Sequence, residues 1–183
     1  MRSPRAVVLV EGASDKLALE ALARRRGRDL VAESVSVVPI GGAQAIGRFL
    51  RQYGPAGSDA RLAGLCDAGE EREFRRALER AGFGFELVRS DMERLGFYVC
   101  EADLEDELVR CLGARVVEEI LDAHGRLASF RTYQKQPAHR ARTVEEQLRG
   151  FLTNWKIRLA APLVEALDLG RVPRPLDGVL AHL

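Results

Sequence analysis

The tightest constraint on this chain is a run of five apolar residues at 6–10, Ala-Val-Val-Leu-Val, with nothing polar between them. A strand with one wet face alternates, whereas an unbroken run of this length suits a strand buried on both faces of a parallel sheet covered by helices. The polarity then reverses. Glu11 ends the run, Gly12 permits a tight turn, and Leu17, Leu19, Ala21, Leu22 and Ala23 fit an amphipathic helix ending near Gly27. A strand, a turn and a helix with an acid at the junction place a carboxylate at the carboxyl edge of the sheet, where open α/β folds bind ligands. Taken alone, the same acid is equally well read as a solvated strand end, with Ser14 or Asp15 capping the helix.

The pattern recurs downstream. Residues 34–40 read as a second strand, followed by Gly41-Gly42 and a helix over 43–53. A glycine pair at such a turn lets backbone amides approach an anion, or simply relieves crowding. A third strand over 61–66 ends in Asp67, and Ala68-Gly69 leads into a helix carrying Glu70, Glu71, Phe74, Ala77 and Leu78. Short strands are expected at 85–88 and 97–100, the latter ending in Glu101 with Asp103, Glu105, Asp106 and Glu107 close behind. This succession predicts a doubly wound α/β core over residues 1–112 and a helical extension over 113–183 packed on it. In the extension, Thr143 and Glu146 have capping-box spacing for a helix through Leu152. A further helical pattern over 155–167 is interrupted at Pro162. Leu148, Phe151, Leu152, Trp155 and Leu159 are expected to pack, and 134–142, which lacks periodicity, is expected to form a mobile loop over the active edge.

Composition excludes several classes. No apolar stretch approaches the roughly 20 residues that span a bilayer, and the amino terminus lacks a signal-peptide core, so a cytoplasmic chain without membrane contact is expected. Cys66, Cys100 and Cys111 have no paired spacing for zinc, and an odd number is a poor disulfide framework. A net charge of +1 gives no global attraction to nucleic acid, so any such affinity must be local. The candidate patches are Arg24-Arg25-Arg26 with Arg28, and His139-Arg140 with Arg142; each also reads as a solvated helix end or loop. Of 28 basic residues only Lys16, Lys135 and Lys156 are lysines, so a lysine here suggests a place where arginine's fork would not serve.

Parallel strands align their carboxyl ends, so Glu11, Asp67 and the acids of 101–106 should converge on one edge. Carboxylates held together repel and raise one another's pKa unless a cation neutralises them, and hard oxygen donors suit magnesium or manganese. Helix caps and an acidic solvated face are the alternative.

Val10-Glu11-Gly12 after one strand, Gly41-Gly42 after the next, Leu65-Cys66-Asp67-Ala68-Gly69-Glu70 after the third and Leu104-Glu105-Asp106 after a fourth resemble a TOPRIM domain. The Leu-Glu-Asp element and the tail holding Lys135 favour the variant found in overcoming-lysogenization-defect (OLD) nucleases. The resemblance extends to about Lys156, and Val-Pro-Arg-Pro-Leu at 172–176 is also similar. It implies a Rossmann-like, mostly parallel sheet flanked by helices and a metal-dependent DNA endonuclease or nickase. Glu11 and Asp15 match the acids of the first motif, and Asp67 matches the first aspartate of the Asp-x-Asp motif. Gly69 replaces the second aspartate, a departure that Glu70 or Glu71 could offset. Glu105 and Asp106 match the late acidic pair. The implied metal ligands are therefore Glu11, Asp15, Asp67, Glu70, Glu105 and Asp106, holding Mg2+ or Mn2+. Lys135 is the first candidate for the catalytic lysine beside Glu11 and Asp67, with Lys156 second. Arg140, Arg142 and Lys156 are candidates for gripping the DNA backbone. Two metal ions held in this way stabilise both the incoming and the departing oxygen of a phosphodiester.

OLD nucleases usually carry an ABC-type ATPase domain ahead of the TOPRIM part. This sequence begins at the first TOPRIM strand and contains no Walker A pattern, so no ATP site is expected in it. DNA is the expected partner; a separate ATPase protein and a homodimer stay open. Two rival classes remain. A regulatory module with a damaged metal motif would bind neither magnesium nor manganese. A receiver or phosphatase on a similar sheet calls for paired acids at the first strand end and a phospho-acceptor aspartate at the third; only the latter, Asp67, is present.

Overall fold

The computed structural model describes residues 4–183. Its centre is a four-stranded sheet in the order β2-β1-β3-β4, with β1 Ala6–Val10, β2 Val35–Pro39, β3 Arg61–Cys66 and β4 Phe97–Val99. All pairings are parallel, and the register is flush: Ala6 lies opposite both Val35 and Arg61, and Val10 opposite both Pro39 and Leu65. The carboxyl ends of β1, β2 and β3 are therefore level, which brings Glu11 and Asp67 to a common edge.

The absence of alternation in β1 has the expected cause. Val8 and Val10 pack with Ala63 and Leu65 into the core on one face, while Val7 and Leu9 pack with Leu62, Cys66, Phe97 and Val99 into the core on the other. Helices α2 (Ile46–Tyr53), α3 (Glu71–Arg80) and α4 (Arg89–Arg94) cover the second face. The first face is covered by α1 (Ala13–Arg25), α5 (Leu104–Leu112) and helices of the carboxy-terminal part. These are α6 (Ala114–Ala123), α7 (Leu127–Gln134), α8 (Val144–Leu152), α9 (Lys156–Glu165) and α10 (Arg174–His182). Helix α9 lies along α1, and Arg25 fixes its end by donating to the carbonyls of Val164 and Leu167 at 3.0 and 2.6 Å. That packing carries the start of α9 to the carboxyl edge of the sheet.

Some expectations fail for identifiable reasons. Residues 85–88 form no strand: Glu86 has φ +48°, Gly84 has φ +156°, and only Leu87 reaches the core, while Phe85 and Val88 are 86% and 54% exposed. Pro162 does not interrupt α9 but sits inside it. The carbonyl left without a donor belongs to Arg158, an exposed residue, so water can satisfy it. Residues 135–142 form a turn pinned to α7 and α8: Tyr133 and His139 stack at 3.8 Å, and Gln147 donates to the carbonyls of His139 and Arg142. Thr143 caps α8 through the expected reciprocal box with Glu146. Cys66 and Cys100 are buried and free. No helix among the described residues is long and apolar enough to cross a membrane.

Candidate functional site

Glu11 leaves β1 and turns toward β3, where its Oε1 accepts the backbone N–H of Asp67 at 2.8 Å. The two acids are thus joined across the sheet edge although 56 residues separate them in the chain. One turn into α1, Asp15 folds back and accepts the N–H of Gly12 at 2.8 Å, which satisfies an orphan donor of the helix start and buries the carboxylate. Asp103 caps α5 by accepting the N–H of Asp106, and Glu105, the second residue of that helix, is buried at 8% exposure.

These acids act on one another. Burial, followed by the charges of Glu11, Asp15, Asp103 and Glu105, pushes the Asp67 carboxyl up to about 7. Burial also raises Glu11; the hydrogen bond from Asp67 opposes the shift, and Asp15 and Glu70 add to it. Asp15 and Glu105 are raised mainly by burial as well. The cation that lowers Glu11, Asp15 and Glu105 is Lys156, the first residue of α9. Acids from three strand ends and a lysine from the carboxy-terminal helices therefore share one electrostatic neighbourhood. Among the described residues, no three His, Cys, Asp or Glu side chains stand close enough to one another to hold an ion as they are.

A pH dependence follows from the sign of these shifts. The folded chain keeps a proton on Asp67 up to about pH 7, whereas an ordinary aspartate releases it near 3.8. The native state thus binds more protons than the unfolded one across that window, and stability falls as pH rises through it. Glu11, Asp15 and Glu105, also raised, act in the same direction. In EDTA the melting temperature is expected to drop by on the order of 5 °C between pH 5 and pH 8. Differential scanning calorimetry of the wild type and of Asp67→Asn, in which the drop shrinks, checks this.

The remaining candidates lie elsewhere. Asp106 is held by Arg110 at 2.8 Å, in a surface cluster where Arg110 also meets Glu101 and Glu107. Glu105, not its neighbour, is the acid of that pair turned inward. Lys135 is exposed at the carboxy end of α7. Arg140 is exposed in the turn that follows, and Arg142 lines a 360 Å3 pocket with Asp103, Glu146, Arg149, Gly150 and Thr153. The patch at 24–28 is largely engaged within the fold: Arg25 caps α9, Arg26 pairs with Asp177 at 2.7 Å, and Arg28 holds Glu33 and the Leu180 carbonyl.

Arg149 had no signal in the sequence beyond its place in a capped helix. It reaches from α8 to Asp103, with Nη2 at 2.7 Å from Oδ2, and feels the charge of Asp67. It lines the same pocket as Arg142, beside the acids.

Residues 4–59, which include Glu11, Asp15 and the Gly41-Gly42 turn, match the family model described as the overcoming lysogenization defect protein-like TOPRIM domain. The fold is similar to that of the C-terminal region of the Xanthomonas campestris pv. campestris OLD protein. The TM-score is 0.78 at 24% identity, over 98% of this chain and 91% of that one. The C-terminal region of the Burkholderia pseudomallei OLD protein gives 0.75 at 18% identity, over 98% and 96% of the two chains. No curated protein matches the sequence.

Proposed function

We propose, because residues 4–59 match an OLD-like TOPRIM model and the fold is similar to that of OLD carboxy-terminal regions, that the chain is a divalent-metal-dependent phosphodiesterase that nicks or cuts DNA. The observation that carries this reading is the meeting of acids from separate strand ends, with Glu11 Oε1 accepting the backbone N–H of Asp67 at 2.8 Å; burial and the charges of Glu11, Asp15, Asp103 and Glu105, which push Asp67 up to about 7, support it. Crowding carboxylates at a half-buried sheet edge opposes folding unless their charge is used.

The donor chemistry fits a hard cation. Glu11 and Asp15 each spend an oxygen on a backbone N–H, which leaves the other oxygen for a ligand. The carboxylate of Asp67 takes no hydrogen bond from the protein among the described residues. Glu11, Asp15, Asp67 and Glu105 would hold Mg2+ or Mn2+, with Glu70 within electrostatic reach of Glu11. A bound ion of this kind supplies Lewis-acid stabilisation of the charge that grows on the phosphodiester oxygens. The protein's own groups do the rest. The charge of Lys156 acts on Glu11, Asp15 and Glu105, and an ammonium in that neighbourhood can balance charge on a phosphate oxygen. Arg149, fixed in direction by Asp103, and Arg142 face the adjacent pocket and grip backbone phosphates without reading bases. Asp67 must lose its proton before it can serve as a ligand, so activity should climb through pH 7.

Supercoiled plasmid incubated with the purified chain tests the reading: nicked circles should form with magnesium or manganese and not in EDTA. Gly69 favours a second reading, a regulatory module working with a separate ATPase, because it removes one expected ligand. A Cβ at Gly69 meets nothing within 4 Å, so Gly69→Asp fits sterically. It is expected to tighten manganese binding about tenfold, or about 1.4 kcal/mol, measured by calorimetric titration. A wild type that binds neither ion and leaves plasmid and linear DNA intact establishes the regulatory reading instead.

A further inference from the structure

Away from the acids, α2 and α3 run side by side from the carboxyl edge down the second face of the sheet, and a groove of 490 Å3 lies between them. Ile46, Leu50, Phe74 and Ala77 do the packing beneath. The groove itself is lined by Arg48 and Arg51 from α2 and by Arg80 from α3, all exposed. Among the described residues, none of these arginines has a carboxylate within ion-pair distance, although Arg89, Arg94, Arg110, Arg131 and Arg174 all do. The acid lining the groove is Glu73, near its upper end, and no ion pair joins it to an arginine among the described residues. Arg48 lies over the Phe49 ring at 4.8 Å, but like charges lining one groove without a counter-charge repel one another. The groove is thus poised for an anion.

Its position says which anion. The upper end is formed by Ala43 and Gln44, directly after the Gly41-Gly42 turn whose N–H groups donate to the Glu11 carbonyl at 3.2 and 3.3 Å. The groove therefore opens beside the first strand-end acid. The eight residues of α2 give it a length of about 12 Å, room for roughly three backbone phosphates of one strand. We propose that this groove is a phosphate-backbone site for the DNA strand flanking the bond at the acidic edge, held through Arg48, Arg51 and Arg80 by charge and not by base identity. The inference rests on DNA as the substrate but not on cleavage.

Binding is measured by fluorescence anisotropy of a labelled 20-base-pair duplex in EDTA, across a salt series. Arg51→Ala/Arg80→Ala should bind at least 10-fold more weakly at 0.1 M salt and lower the slope of log K against log salt by about 1.8, two lost phosphate contacts at 0.9 each. Arg94→Ala/Arg115→Ala, with the same change in charge at ion-paired positions elsewhere, should stay close to the wild type. Unchanged affinity and slope in the groove variant, or equal losses in both variants, overturns the assignment. So does displacement of the duplex by inorganic phosphate at constant ionic strength, which would mark a small-anion site. An absence of plasmid nicking with these binding differences intact would sink the nuclease reading and leave the groove standing.

Discussion

Plasmid nicking by Asp67→Asn should fall about 10³-fold or more below the wild type, about 4 kcal/mol of barrier, while the fold survives. Asparagine keeps the shape of the side chain and removes the charge. In the free protein that charge is opposed by Glu11, Asp15, Asp103 and Glu105, so its loss should leave the variant at least as stable as the wild type at pH 8. The combination separates this account from simple damage: a variant inactive because it misfolds melts earlier, and a variant missing only its ligand does not. The backbone N–H of Asp67 still donates to Glu11, so the sheet edge keeps its geometry. Initial rates with magnesium and a thermal melt in EDTA, on the same preparation, check both halves.

The second large effect concerns the lysines. Lys156→Ala should lower the nicking rate about 10²-fold, in the range found when one charge-stabilising donor is removed, whereas Lys135→Ala should stay within about twofold. Lys156 opens α9 and its charge acts on Glu11, Asp15 and Glu105; Lys135 is exposed at the end of α7. Removing Lys156 also lifts the acids further, so the pH profile of the residual activity should move to higher pH. A Lys135 variant without activity and a Lys156 variant with full activity would reverse the assignment.

These expectations draw unequally on the sequence. The parallel sheet was legible because Ala6–Val10 never alternates, and β1 does bury side chains on both faces. Acids placed directly after β1 and β3 had to meet once those strands paired flush, so Glu11 and Asp67 could be read as neighbours from strand ends alone. Within the late acidic pair, sequence could not say which carboxylate turns inward. Helix phase and the pull of Arg110 decide it, drawing Asp106 outward and leaving Glu105 buried. Lys156 and Arg149 were harder still. Their positions depend on how α9 lies along α1 and α8 against α5, which is settled by packing of Leu19, Leu22, Leu159 and Leu163 in the one pair and Leu104, Leu108, Leu148 and Leu152 in the other, and not by local spacing. Residues 85–88 misled for the opposite reason: a locally strand-like composition is overruled by the left-handed backbone at Glu86 and by the lack of any sheet neighbour.

The central claim is that acids from separate strand ends are pressed together until a divalent cation relieves them. Calorimetric titration of manganese at pH 7, repeated in two buffers of different ionisation heat, measures binding and proton release together. Asp67 has a pKa of about 7, so binding should expel roughly half a proton there and almost none by pH 8.5, and Asp67→Asn should abolish the release and weaken the affinity. Manganese that binds without releasing a proton, or that does not bind at all, contradicts the claim.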